Sequence, residues 1–130
     1  MGDQEGEIIL RPVGFIRSFY ARPEFAPRQG AYSDDLSRVV IYPEFAHLLE
    51  GIERHERLII LYLFHQGRAE PSPGAFAMRT PHRPNPIGLT VVKLQERREN
   101  VLWVRGLDAV DGSPVLDVKP FVREIDCPEG

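Results

Sequence analysis

Apolar runs in this chain are short, because twelve prolines and eleven glycines interrupt them at fairly regular intervals. Proline fixes φ and lacks an amide donor, so it ends helices and central strands, while glycine supplies turns. Short apolar runs spaced this way are the pattern of an all-β barrel or sandwich. Strands are expected near residues 8–17, 37–42, 58–64, 75–79, 89–96, 101–106 and 115–118. The stretches 91–95 and 101–105 are β-branched or aromatic in character, and the polar stretch 96–100 between them predicts a hairpin. One short helix is expected over 43–50. Pro43 suits a first turn, Glu44 the positive end of the dipole, Phe45, Leu48 and Leu49 share a face, and Gly51 is a natural stop.

A chain of 130 residues is one domain's worth of protein and can bury an ordinary core. Cys127 is the only cysteine, so neither an internal disulfide nor a multi-cysteine metal site is expected, and a reducing cytoplasm is the default location. No apolar run reaches the roughly 18 residues that span a bilayer, so no membrane segment is expected. The acidic, apolar-poor start is not that of a signal peptide. Gly2 does not make a myristoylation site, since Gly6 stands where Ser or Thr is wanted, and Pro128 and Glu129 are poor neighbours for prenylation of Cys127. Sixteen basic against nineteen acidic residues give −3, which excludes a bulk polycation and leaves room for a local basic face toward RNA.

The densest chemical signal is Arg79-Thr80-Pro81-His82-Arg83-Pro84-Asn85-Pro86-Ile87-Gly88. Its prolines stiffen the loop, and a stiff loop can hold two arginines, a histidine and an asparagine as donors in fixed geometry. The bland alternative is a proline-rich connector with solvated charges. Asp108-Ala109-Val110-Asp111-Gly112 contains an Asp-Gly pair, which by itself reads as a plain hairpin turn. Pro27-Arg28-Gln29-Gly30 is a short polar loop. His65-Gln66 closes an apolar strand, where a polar pair must reach solvent or line a cavity. His47 and His55 stand without a carboxylate or thiol framework, so no metal site is expected. There is no glycine-rich phosphate loop or dinucleotide fingerprint, and none of Ser18, Ser33, Ser37, Ser72 and Ser113 sits in a nucleophile elbow.

Taken in order, Pro27-Arg28-Gln29, Phe64-His65-Gln66, the run from Arg79 to Gly88, and Leu107-Asp108-x-x-Asp111-Gly112-x-Pro114-Val115-Leu116-Asp117-x-Lys119-Pro120 resemble the TsaA-like (TrmO) family of tRNA adenosine-37 N6-methyltransferases. The likeness runs from about Arg11 to Arg123, so the whole chain reads as one such domain, with 1–7 and 124–130 as loose tails. It implies a β-barrel that binds S-adenosylmethionine without a Rossmann sheet and forms homodimers. It implies that the cofactor lies against Pro27, Arg28, Gln29, His65, Gln66, Arg79, Leu89, Ala109, Val110, Asp111 and Gly112. The backbone of 109–112 would read an adenine edge, and Asp111 would favour a cationic centre. The implied reaction methylates N6 of N6-threonylcarbamoyladenosine at tRNA position 37. Arg83 and Asn85 are the catalytic candidates for orienting substrate, with Lys119 and Arg28 as phosphate or carboxylate contacts.

The chain departs from the family pattern in three places. It has His55-Glu56-Arg57 where members often carry Phe-Ser-His, and Phe121 where a tyrosine is usual after Lys-Pro. It also ends at Gly130, whereas longer members append a C-terminal domain that helps to hold tRNA. Two other readings follow from these departures. One is a methyltransferase of the same fold acting on another RNA or a small molecule; the other is a module that binds the cofactor without turning it over.

Overall fold

The computed structural model describes residues 6–18, 35–64 and 70–128, and within them six strands close into a barrel. The strands are β1 (Gly14–Arg17), β2 (Leu36–Ile41), β3 (Arg57–Leu63), β4 (Ile87–Arg98), β5 (Val101–Arg105) and β6 (Pro114–Pro120). They follow the order β1-β2-β5-β4-β3-β6 around the barrel, and every pair of neighbours is antiparallel. The expected mainly β barrel is what forms, and it contains no parallel sheet.

Alternation along the strands sorts the side chains. On β3, Leu58, Ile60 and Tyr62 are buried, while Ile59, Leu61 and Leu63 between them are only partly covered. Ile16, Val39, Leu58, Ile60, Leu102, Val104 and Val115 are fully enclosed and fill the barrel. Each buried aliphatic side chain of this kind contributes about 1.5–3 kcal/mol. The expected hairpin is β4–β5, with Arg98 opposite Val101, Glu99 at φ 54 in the turn, and a bulge between Leu94 and Glu96.

Strict antiparallel order has a consequence for function. The odd-numbered strands all run toward one end of the barrel and the even-numbered strands all run away from it. The connections β1 to β2, β3 to β4 and β5 to β6 therefore start and finish at that end, here called the loop end. The β2–β3 and β4–β5 connections lie at the far end. Hydrogen bonds from Asn100 Nδ2 to the Ile41 carbonyl (2.7 Å) and from the Ile41 amide to the Asn100 carbonyl (2.8 Å) fix the far end.

Four local expectations are corrected or refined. Residues 75–79 do not form a strand. Gly74 adopts φ 76, which a side chain would resist, and starts a 3-10 turn over Ala75–Ala77. The segment 43–50 is a 3-10 helix, Pro43–Leu49, with the Phe45 amide on the Tyr42 carbonyl. β1 begins at Gly14, and Ile8 and Ile9 before it are exposed. A single turn of helix, α1 (Arg123–Asp126), forms in the region expected to begin a tail, with the Val122 amide donating to Asp126 Oδ2 (2.7 Å).

Candidate active site

At the loop end one carboxylate gathers two hydroxyls from inside the barrel. Tyr62 and Thr90 both point inward from paired strands, since Tyr62 stands opposite Gly88 and Thr90 opposite Ile60. The Tyr62 hydroxyl donates to Asp108 Oδ1 at 2.9 Å and the Thr90 hydroxyl donates to the same oxygen at 2.7 Å. Each hydroxyl has one proton, so the 3.3 Å approach between Tyr62 Oη and Thr90 Oγ1 is contact between two groups already donating elsewhere. Nothing among the described residues engages Asp108 Oδ2. Gly88 makes room for this unit. A Cβ there would meet the Tyr62 ring at 2.6 Å and Phe64 at 3.0 Å, and Phe64 in turn sits edge-on to Tyr62 at 5.5 Å.

Burial raises the Tyr62 pKa well above the usual tyrosine range, and the Asp108 charge adds to the rise. The Arg79 guanidinium opposes it, which places that cation within electrostatic reach of the hydroxyl. Above about pH 10 an unfolded tyrosine loses its proton while folded Tyr62 keeps it. Unfolding then releases a proton, so stability falls as pH rises, at a slope approaching about 1.4 kcal/mol per pH unit from this group. Urea titrations at successive alkaline pH values should show a shallower decline in Tyr62→Phe than in the parent protein.

The turn after Asp108 is pinned to β1. The Gly112 amide donates to the Ile16 carbonyl (2.7 Å), and the Ser18 hydroxyl donates to the Ala109 carbonyl (2.9 Å). The Ser113 hydroxyl donates to the Val110 carbonyl at 2.6 Å. The Ser18 amide donates to Asp111 Oδ1 (2.9 Å), and Arg17 pairs with Asp111 Oδ2 at 3.5 Å. Asp111 thus spends its charge on holding the turn to β1, and Asp108 is the carboxylate with an oxygen to spare. Among the described residues nothing accepts from the amides of Ala109, Val110 or Asp111. The turn is fixed by its carbonyls and keeps three donors available.

The stiff loop from Arg79 to Gly88 lies at the same end. Arg83 Nη1 donates to the carbonyls of Met78 (3.2 Å) and Thr80 (2.9 Å), so this arginine shapes the loop that carries it. The His82 amide donates to Thr80 Oγ1 (3.1 Å), and His82 Nδ1 is enclosed without a partner among the described residues. Arg79 has no hydrogen-bond or ion-pair partner among the described residues. The Asn85 side chain is exposed, and its carbonyl accepts from the Ile87 amide (2.7 Å).

The structure therefore brings together Arg79, Arg83, Asn85, Ala109, Val110, Asp111 and Gly112 at the loop end. Leu89 is near this end but points outward, 43% exposed, between the inward Gly88 and Thr90. Lys119 is not brought there by its own chain. It pairs in register with Ile59 toward the start of β3, about 16 Å along β6 from Pro114 at strand spacing, and its ammonium contacts Asp117 at 3.0 Å. Phe121 and the His55-Glu56-Arg57 departure are also at the far end, where the Phe121 amide donates to the Arg57 carbonyl. Pro27, Arg28, Gln29, His65 and Gln66 lie outside the described residues. Tyr62 and Thr90 were not singled out in the sequence, because a tyrosine in an apolar strand and a threonine among valines read as ordinary β residues. Among the described residues no helix is long and apolar enough to cross a membrane, and no cluster of three metal-ligating side chains forms.

Known proteins point the same way. The profile of the tRNA-methyltransferase O N-terminal domain matches residues 15–127. An S-adenosyl-L-methionine-binding protein of Archaeoglobus fulgidus is 43% identical over 130 residues, which cover 92% of this chain and 94% of that protein. The human tRNA (adenine(37)-N6)-methyltransferase is 33% identical over 144 residues, covering 97% of this chain and 33% of that protein. The crystal structure of TrmO from Pseudomonas aeruginosa superposes with a TM-score of 0.84 at 38% identity, over 94% of this chain and 59% of that one. The chain thus spans about three fifths of that crystallised chain and a third of the human protein. With the motifs, the barrel and the profile in agreement, this chain belongs to the tRNA-methyltransferase O N-terminal domain family, the TsaA-like family that its sequence resembles.

Proposed function

We propose that the chain is an S-adenosylmethionine-dependent methyltransferase acting on N6 of adenosine 37 in tRNA, with N6-threonylcarbamoyladenosine as its substrate. The observation that carries this is the set of unspent groups at the loop end: the amides of Ala109, Val110 and Asp111, Asp108 Oδ2, and the Arg79 guanidinium. A zwitterionic nucleoside needs donors for a base edge, an acceptor for a ribose hydroxyl or ammonium, and a cation for a carboxylate, and these residues supply each kind. S-Adenosylmethionine, when bound, supplies an activated methyl group on a sulfonium. The protein's part is alignment, and the backbone of the turn and of the proline-stiffened loop that carries these groups is held by hydrogen bonds. Asn85, exposed on the stiff loop, would orient the substrate. The relatives named for S-adenosyl-L-methionine binding and for tRNA (adenine(37)-N6) methylation support the same reading. A cytoplasmic location goes with a tRNA substrate.

The reading includes a homodimer. On the outer face of the barrel Ile87, Leu89 and Val91 of β4 stand opposite Leu63, Leu61 and Ile59 of β3, forming paired apolar rows. A contiguous apolar face of this kind fits a second copy. Lys119 borders it beside Ile59, so a dimer through this face would give Lys119 a route to the partner's site.

Incubation with methyl-labelled S-adenosylmethionine and tRNA should place label on adenosine, and Arg79→Ala should slow transfer about tenfold, as for loss of one exposed charge-assisted contact. Light scattering on the same samples should give the mass of two chains. Binding of the cofactor without label reaching any RNA would overturn the tRNA-methyltransferase assignment.

A further inference from the structure

Phe76 is 85% exposed although the turn that carries it is firmly held. The Ala75 amide donates to the Ser72 carbonyl, the Ala77 amide to the Gly74 carbonyl and the Met78 amide to the Ala75 carbonyl, all within 3.1 Å. Ser72 is tied back to the His82 carbonyl at 3.0 Å, and Ala75 beside Phe76 is buried. The backbone under the ring is therefore held, while the ring itself stands in the open and buries little in the fold. The Arg83 guanidinium lies over it, 6.0 Å from the centroid, and is itself anchored by the Met78 and Thr80 carbonyls. Residues 71–88 carry Arg79, His82 and Arg83 and no acidic side chain, so the surroundings of the ring favour an anion.

An exposed aromatic ring on a hydrogen-bonded turn, beside the anchored Arg83 guanidinium and at the same end of the barrel as the unspent donors, suits one kind of partner. Unpaired bases offer a π-face for stacking, and their phosphates offer negative charge. We propose that Phe76, braced by Arg83, is a stacking platform for an unpaired base next to the target nucleotide in a single-stranded RNA loop. This rests on the tRNA reading above and adds how the substrate is gripped: the target base must be splayed from its neighbours before it reaches the loop end, and Phe76 holds one of those neighbours.

The test compares binding of a fluorescein-labelled RNA stem-loop and of a fully paired duplex, by anisotropy. Phe76→Ala should weaken stem-loop binding about tenfold and leave duplex binding and the calorimetric affinity for S-adenosylmethionine unchanged. Phe76→Trp should keep the stem-loop affinity, with indole emission quenched on binding. Equal stem-loop affinity in Phe76→Ala and the parent would overturn the platform while leaving the tRNA reading intact. So would a fall in cofactor affinity, or a halved mass by light scattering, which would assign the ring to the cofactor or to a second copy. A parent protein that binds S-adenosylmethionine but neither RNA would sink the tRNA reading and the platform together.

Discussion

Replacing Asp108 with alanine should lower stability by about 3 kcal/mol and cofactor affinity about a hundredfold. The stability loss comes from the Tyr62 and Thr90 hydroxyls, both buried and both donating to Asp108 Oδ1. Without that oxygen two donors lose their acceptor, at about 1–3 kcal/mol for each buried group left unsatisfied. They stand 3.3 Å apart and can recover part of the loss by bonding to each other, which keeps the sum near 3 kcal/mol. The affinity loss has a different source. Asp108 is the inner anchor of the turn whose Ala109, Val110 and Asp111 amides remain available, and its Oδ2 is one of the unspent acceptors. Urea denaturation and calorimetry read the two effects separately. Asp108→Asn keeps an oxygen for the hydroxyls, so it should recover most of the stability and little of the affinity. Equal losses of affinity and stability in both variants would show the carboxylate to be structural only.

Gly88→Ala should cost about 2–3 kcal/mol, although it adds one methyl group to a strand. The added carbon would stand 2.6 Å from the Tyr62 ring and 3.0 Å from the Phe64 ring, closer than real side chains pack. Overpacking of a filled core costs about 1–3 kcal/mol. The ring cannot yield by rotation alone, because its hydroxyl is held by Asp108 beyond and its edge by Phe64. Thermal or urea unfolding of Gly88→Ala, Tyr62→Leu and the double variant forms a cycle that isolates the contact. The double variant should be more stable than the sum of the single losses implies, because contacting residues are not additive. Additive losses would mean that the glycine serves something other than the tyrosine.

The strands of this barrel are legible in the sequence because burial on one face writes a period of two into it. The 91–95 and 101–105 pair and its turn come directly from β-branched and aromatic residues on either side of polar ones. The stretch 75–79 shows where that reading fails. Ala-Phe-Ala-Met alternates like a strand, yet Gly74 in a left-handed conformation winds it into a 3-10 turn and leaves Phe76 outside. The loops that carry the site stand out because proline clusters and an Asp-Gly turn are unusual in composition. How they share the work does not. Asp111 reads as the acid for a cationic centre, but its contacts with Arg17 and Ser18 depend on where β1 ends relative to β6. Tyr62, Thr90 and Asp108 are far apart in the chain and meet only through the β3–β4 and β4–β5 pairings. Lys119 belongs to the same motif as Asp111 in sequence, but the strand between them carries it away from the loop end.

Chain direction in a six-stranded antiparallel barrel sends three connections to one end, and the chemically distinctive segments occupy those connections. The inward hydroxyls of Tyr62 and Thr90 then tie the third connection to the barrel wall.

The most direct measurement is a titration of isotope-labelled protein with S-adenosylmethionine, followed by amide chemical shifts. Saturable shifts concentrated at Arg79, Asp108, Ala109, Val110, Asp111 and Gly112, with Asn100 at the far end unmoved, are the expected result. No saturable shift at any of those loop-end amides, or shifts concentrated at the far end, would contradict a cofactor site at the loop end of the barrel.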